Sequence, residues 1–207
     1  MNKIIIVSDD KSEKTVETPP SGLTVEWLGD DGCLKISSSC TFKNCKFQIN
    51  TNSLIEIGRK SNVNGLFIRC AATDSVVRIG EHFTISSGEF ILANGGHHQS
   101  LIIGNDCLFS SHVAIFTSDG HSMIDGETGQ VLNNIGGNIT IGNHCWVGYR
   151  VILTKSARLA PNTIVGANSL VSKAFTDEFC CIAGQPAKVL KTNVKWSIKH
   201  PSVYKGV

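Results

Sequence analysis

From Ile141 onward every sixth residue is aliphatic: Ile141, Val147, Leu153, Leu159, Val165 and Val171. The residue after each stop is small: Gly142, Gly148, Thr154, Ala160, Gly166 and Ser172. Four places after the first five stops come Cys145, Val151, Ala157, Thr163 and Ser169, again small or modest. An amphipathic helix would repeat its apolar face at spacings of three and four, and a half-buried strand at two. A period of six reads instead as a solenoid. Each hexad is one short strand plus a corner, and glycine turns the corner at no steric cost. Three hexads close one coil, and stacked coils cover one another's apolar stripes at the inter-strand spacing of ~4.8 Å.

A second run of sixes lies upstream: Ile79, Ile85, Ile91, His97, Ile103, Phe109 and Ile115. Together the runs hold thirteen stops, twelve of them apolar, where a 41% hydrophobic chain would place about five by composition alone. An antiparallel sandwich would alternate by two and space its turns less regularly. Residues 33–63 are β-like but ragged, and Ile57-Gly58 is the first clean step. Ile57 to Ile79 is out of register, which calls for a bulge near 71–75, and 94–98 reads as another outward excursion. Residues 117–138, dense in Gly, Asp, Asn and Ser, read as a long loop thrown from the side of the prism, and loops of that length are usually functional or disordered. Residues 1–32 lack the repeat and read as an irregular N-terminal cap. The repeat decays after Val171, so the solenoid is expected over 33–188, with 189–207 as a terminal helix or arm capping the last coil.

Composition narrows the function. Aromatics are 7% and charged residues 17%, which suits a narrow interior of Ile, Val and Leu. The net charge of +2 leaves no footprint for nucleic acid. No segment approaches the ~20 apolar residues of a membrane span, and the opening Lys3-Ile4-Ile5-Ile6-Val7 is too short for a signal-peptide core. The expectation is a cytoplasmic protein. None of the eight cysteines forms a CxxC pair, and Cys107 and Cys145 fall at small inward slots, so buried free thiols are expected.

Several stretches together resemble the hexapeptide-repeat acyltransferases, in particular the branch of sugar and polysaccharide O-acetyltransferases. They are Ile103-Gly104-Asn105-Asp106-Cys107 with Ser110-Ser111, Thr117-Ser118-Asp119-Gly120-His121, Ile141-Gly142-Asn143-His144-Cys145-Trp146-Val147-Gly148, Val165-Gly166-Ala167-Asn168-Ser169 to Lys173, and Ala183-Gly184-Gln185-Pro186-Ala187-Lys188. A single hexad is a weak signal; the histidine loop, the Trp-Val-Gly step and the Pro-Ala-Lys terminus in this order are a strong one. The resemblance implies a left-handed parallel β-helix, acetyl-CoA as co-substrate, and a homotrimer with active sites between subunits. The left hand comes from the resemblance alone, since parallel crossovers are ordinarily right-handed.

The resemblance also assigns roles. His121 takes the place of the catalytic base. A thioester is already activated, so the enzyme must place a hydroxyl beside the carbonyl and remove its proton, a task imidazole suits at neutral pH. Asp119 could orient His121 or an acceptor hydroxyl, or simply form the turn. Trp146 sits in an outward slot beside a glycine, where an aromatic suits a sugar face or a subunit boundary. Gly148, Tyr149, Ala167, Ser172, Lys173 and Lys188 fall where relatives line the CoA groove, with both lysines meeting phosphates as point charges.

The acceptor is expected to be a sugar hydroxyl in a capsular or lipopolysaccharide glycan; Asn193-Val194-Lys195-Trp196 weakly resembles the polysialic-acid O-acetyltransferases. Small acceptors are the enzyme alternative: an antibiotic, a free sugar or an amino sugar. A non-catalytic scaffold is the alternative from another class. A zinc site like that of the γ-class carbonic anhydrases is not expected, because His82, His97, His98, His112, His121 and His144 lack its spacing.

Overall fold

Strands pair with the strand one coil away, and that pairing builds three long sheets. A computed structural model describes residues 1–93, 98–133 and 137–204. Its strands fall into sheets of nine, eight and seven, each ordered by steps of three along the chain, and all pairings but those at the ends are parallel. This is a three-sided solenoid of the left-handed β-helix class. Ile141, Val147, Leu153, Leu159, Val165 and Val171 all point inward and are at most 3% exposed. Cys145, Val151, Ala157, Thr163 and Ser169 fill the remaining inward slots.

The ideal coil of eighteen residues occurs where the hexads are clean, with Ile141 on Leu159 and Leu153 on Val171. Elsewhere the corners absorb extra residues. Ile57 still stacks on Ile79, because 71–75 forms a turn whose Ala71 and Ala72 tuck under Leu92. Ile91 departs from the expected inward slot: Phe90 and Leu92 point in and Ile91 faces out, since the corner after Ile85 is one residue shorter than the one after Phe109. His97 and the rest of 94–97 lie outside the described residues.

The corners explain the histidines. Lys60, His82, Asp106, His144 and Asn162 all have φ between +54° and +61°, and each N–H from His82 to Asn162 donates to a carbonyl one coil back. Histidine is among the residues that tolerate this left-handed conformation. His98 and His112 have it as well, so among the described residues four histidines are corner residues. Among the described residues no group of three potential metal ligands is assembled.

Glycine is compulsory where coils touch. A Cβ at Gly142 would lie 2.4 Å from the backbone nitrogen of Pro161, and one at Gly148 would lie 2.8 Å from that of Ala167.

Both ends differ from the sequence expectation. Lys3–Val7 pairs in parallel with Cys33–Ser37, and Leu23–Trp27 with Cys45–Ile49, so coiling begins inside the stretch read as a cap. The period is hidden there because thirty residues separate Lys3 from its partner Cys33. Glu13–Val16 folds back antiparallel and shields the first edge. At the other end Ala187–Lys191 runs antiparallel to Cys181–Gly184. The expected helical cap is absent from the described residues: the tail is extended apart from one 3-10 turn at Pro201–Val203.

Candidate functional site

The three corners carry different chemistry. Follow one coil from Ile139–Ile141 on the nine-stranded face to Trp146–Val147 on the eight-stranded face, then to Ile152–Thr154 on the seven-stranded face. The first corner holds His144, the second Tyr149, and the third Lys155.

His121 belongs to the third corner. The segment leaving it after Val113–Phe116 is a short hairpin arm rather than an unstructured loop. Ile124 and Val131 form an antiparallel bridge, and the Leu132 N–H donates to the Met123 carbonyl at 2.8 Å. Asp125 accepts from the N–H groups of Glu127 and Thr128 and tightens the tip. At the base, the Gly137 N–H donates to the Thr117 carbonyl at 2.9 Å.

Asn133 is the keystone of this arm. Its amide donates to Asp119 Oδ2 and to the His121 carbonyl, each at 2.8 Å, and its oxygen accepts from the Met123 N–H. Asp119 also pairs with Lys155, which ties the arm to the neighbouring coil. Its carboxylate therefore acts on the arm, and no hydrogen bond joins it to the His121 ring among the described residues. His121 is exposed, and its backbone carbonyl is held by Asn133.

The Lys155 ammonium, and then Asn133, hold the Asp119 carboxyl below the usual carboxylate range. A depressed carboxylate contributes its hold fully above the unfolded pKa of ~3.9, and loses it as pH falls through the lower folded value. Asp119→Asn and Lys155→Met should each lower kcat roughly ten- to hundredfold by misplacing His121. Steady-state kinetics checks this, and the swapped pair Asp119→Lys with Lys155→Asp should recover part of the loss.

The six expected cofactor residues divide between two corners. Gly148 donates to Val165 and packs on Ala167, while the Tyr149 carbonyl accepts from Asn168. Lys188 sits opposite Ala183, which packs against Gly166 in the same column. Ser172 and Lys173 instead follow Val171 at the third corner, one coil beyond Thr154 and Lys155. Between the two sets runs the seven-stranded face, with Ile152 and Leu170 outward. Tyr149 is 39% exposed, with the edge of His112 at 5.5 Å and the Arg150 guanidinium over its ring at 5.1 Å. Trp146 is 42% exposed on the eight-stranded face, across the prism from the corner that bears His121.

Cys70, Cys107 and Cys145 face the prism interior at 1% exposure or less, out of reach of a substrate, although the bond with Cys145 lowers the Cys107 thiol from its ordinary range. The hydrogen bond from Cys107, and then burial, push the Cys145 thiol far above its ordinary range, and burial pushes Cys70 up to about 12. A thiol needs to ionise to attack.

A cavity of about 820 Å³ is lined by Glu13, Lys35, Glu56, Arg59, Arg78 and Glu81 near the N-terminal end. Those charges form the pairs Glu13–Lys35, Glu56–Arg78 and Arg59–Glu81, and the cavity contains none of the expected site residues.

Lys155 and Asn133 are not singled out by the sequence, and Trp196 enters only through the Asn193-Val194-Lys195-Trp196 resemblance. Lys155 carried one usable signal, since it sits two residues past Leu153 just as Lys173 sits two past Val171.

The chain is similar to curated and solved proteins along most of its length. It is 29% identical over 190 residues to a polysialic acid O-acetyltransferase of Neisseria meningitidis, covering 90% of this chain and 85% of that one. It is 30% identical over 143 residues to a polysialic acid O-acetyltransferase of Escherichia coli O1:K1, covering 69% of this chain but only 44% of that longer protein. The crystal structure of the polySia-specific acetyltransferase NeuO superposes with a TM-score of 0.72 at 22% identity, over 97% of this chain and 80% of that one. No family model matches. By fold the chain is a left-handed parallel β-helix, and by sequence it is similar to polysialic acid O-acetyltransferases.

Proposed function

We propose that this protein transfers acetyl from acetyl-CoA to a hydroxyl of a sialic acid polymer, in the cytoplasm and as a homotrimer. The observation that carries the reading is the arm: it leaves the solenoid after Val113–Phe116, and its base is braced around His121. The relatives' shared activity supports the acetyl donor and the acceptor class.

His121 accepts the proton of the acceptor hydroxyl as its oxygen attacks the thioester carbonyl. The C–S bond breaks, and the imidazolium returns the proton to the departing thiolate. The product is an acetyl ester plus free CoA, with no acyl-enzyme on the way. Asp119 and Lys155 hold the arm in place. Gly148, Tyr149, Ala167 and Lys188 line one edge of the CoA channel and Ser172 with Lys173 the other, the lysines meeting phosphates.

Trimer formation completes the site. The His121 corner and Trp146 lie on opposite sides of one prism, so an acceptor touching both spans two protomers. The arm carries Met123, Ile124, Val131 and Leu132, each at least 60% exposed, which gives it an apolar face for a neighbour.

The test is an acetyl transfer assay with acetyl-CoA and polysialic acid, read by thiol release and by mass of the glycan. Transfer to a small sugar but not to the polymer would replace the acceptor. CoA at a hundred times its Kd should stabilise the protein by about 2.7 kcal/mol, and no thermal shift at millimolar CoA would leave only the scaffold.

A further inference from the structure

The C-terminal tail reaches back over two coils to place one side chain. It leaves the sheet after Ala187–Lys191, the Val194 N–H donates to the Phe179 carbonyl at 2.8 Å, and Trp196 lands on His144. The two rings stack with centroids 4.3 Å apart and planes 12° apart. The indole N–H donates to the His144 carbonyl at 2.8 Å, so its single polar atom is already used. Trp196 also stands 6.1 Å from Trp146, tilted by 42°.

We infer that Trp196, His144 and Trp146 form one aromatic platform on the eight-stranded face that carries sugar rings of an extended anionic acceptor. A tryptophan recruited only to pin the tail would bury its ring, yet Trp196 is half-buried and Trp146 stays 42% exposed beside it. The face thus keeps a broad π surface open, with its hydrogen-bonding capacity satisfied from behind. Asp106 stands at the matching corner one coil before His144 and Glu178 bonds Asn162 one coil after, but the tail that delivers Trp196 has charge of one sign. No acidic residue follows Glu178, while Lys188, Lys191, Lys195 and Lys199 mark the tail. Each sialic acid unit carries a carboxylate and an apolar ring face, and a platform flanked by lysines matches both. Trp196 is a positioning residue: it holds the acceptor and His144 in place but does not meet the reacting atoms.

This inference rests on the proposed transfer to a sialic acid polymer, and the experiment separates the two. Wild type, Trp196→Ala and Trp196→Phe are compared for KM of polysialic acid, KM of acetyl-CoA, kcat and thermal midpoint. Trp196→Ala should raise the polymer KM about tenfold or more, a loss of the size expected for one stacked aromatic contact. Its acetyl-CoA KM and kcat should stay within twofold, and Trp196→Phe should recover most of the polymer KM. The wild-type polymer KM should rise with added salt, and less so in Lys191→Gln/Lys195→Gln/Lys199→Gln. Unchanged polymer KM in Trp196→Ala, with wild type active, overturns the platform and leaves the proposed function intact. So does a fall in thermal midpoint that raises both KM values together, since that marks a tail staple. A wild type inactive on the polymer overturns both.

Discussion

Replacing His121 by alanine should lower turnover by roughly 10²–10⁴-fold, the range general base catalysis supplies. The argument starts from where the residue sits. His121 is exposed at the base of the arm, and the contacts that hold the arm in shape come from its own carbonyl and from Asp119, Asn133 and Gly137. The alanine variant keeps that carbonyl, so the arm should stay in place. Removing an exposed side chain with no packing role changes stability by less than about 0.5 kcal/mol. The expected result is an assembled protein with an unchanged thermal midpoint, an undiminished thermal shift with CoA and almost no acetyl transfer. Retained activity would move the base elsewhere; a lost CoA shift would mean His121 serves binding instead. Asp119→Asn provides the contrast, because it leaves the imidazole present and disturbs only its placement.

Much of this architecture was legible because the solenoid is quasi-one-dimensional. In the clean coils one strand, one corner and two inward slots repeat every six residues, so local pattern and tertiary contact are the same thing. Ile141 meets Leu159 for the same reason that the two are three hexads apart. The arm showed itself as a break in that register. The first coil did not show, since Ile4 and Leu23 are buried by partners many residues on and no short period links them. Ile91 was misplaced because a corner of altered length flips the facing of a strand whose side chains alternate. The site was less legible than the fold. Asn133 reaches His121 across 12 residues, Lys155 reaches Asp119 across 36, and Trp196 reaches His144 across 52. Such contacts depend on which corners share an edge, and no repeat in the chain encodes that.

Phe109→Ala should cost about 3–5 kcal/mol, the cavity penalty for truncating a buried phenylalanine. Phe109 is fully buried and meets Phe83 edge-on at 5.1 Å and Phe90 at 6.3 Å, so three rings from two coils interlock. The narrow prism offers little slack: the walls are hydrogen-bonded strands, and no side chain can swing in from outside. Against a total stability of ~5–15 kcal/mol this is a large fraction, and the thermal midpoint of a chain this size should fall on the order of 10 °C. The consequence for function is local. Leu108–Phe109 pairs with Trp146–Val147, and Phe90 lies on Gly88–Leu92, the strand beneath the one from which the arm departs. Coils couple mainly to their neighbours, so hydrogen exchange should rise over 84–116 and 146–147 and change little over 33–49. Uniform exchange across all coils would show that the solenoid unfolds as one unit, and a loss under 1 kcal/mol would show that the aromatic cluster repacks. With local loosening, acceptor binding through Trp146 should weaken well below the temperature at which the protein melts, because the wall behind that indole is the part that has been hollowed.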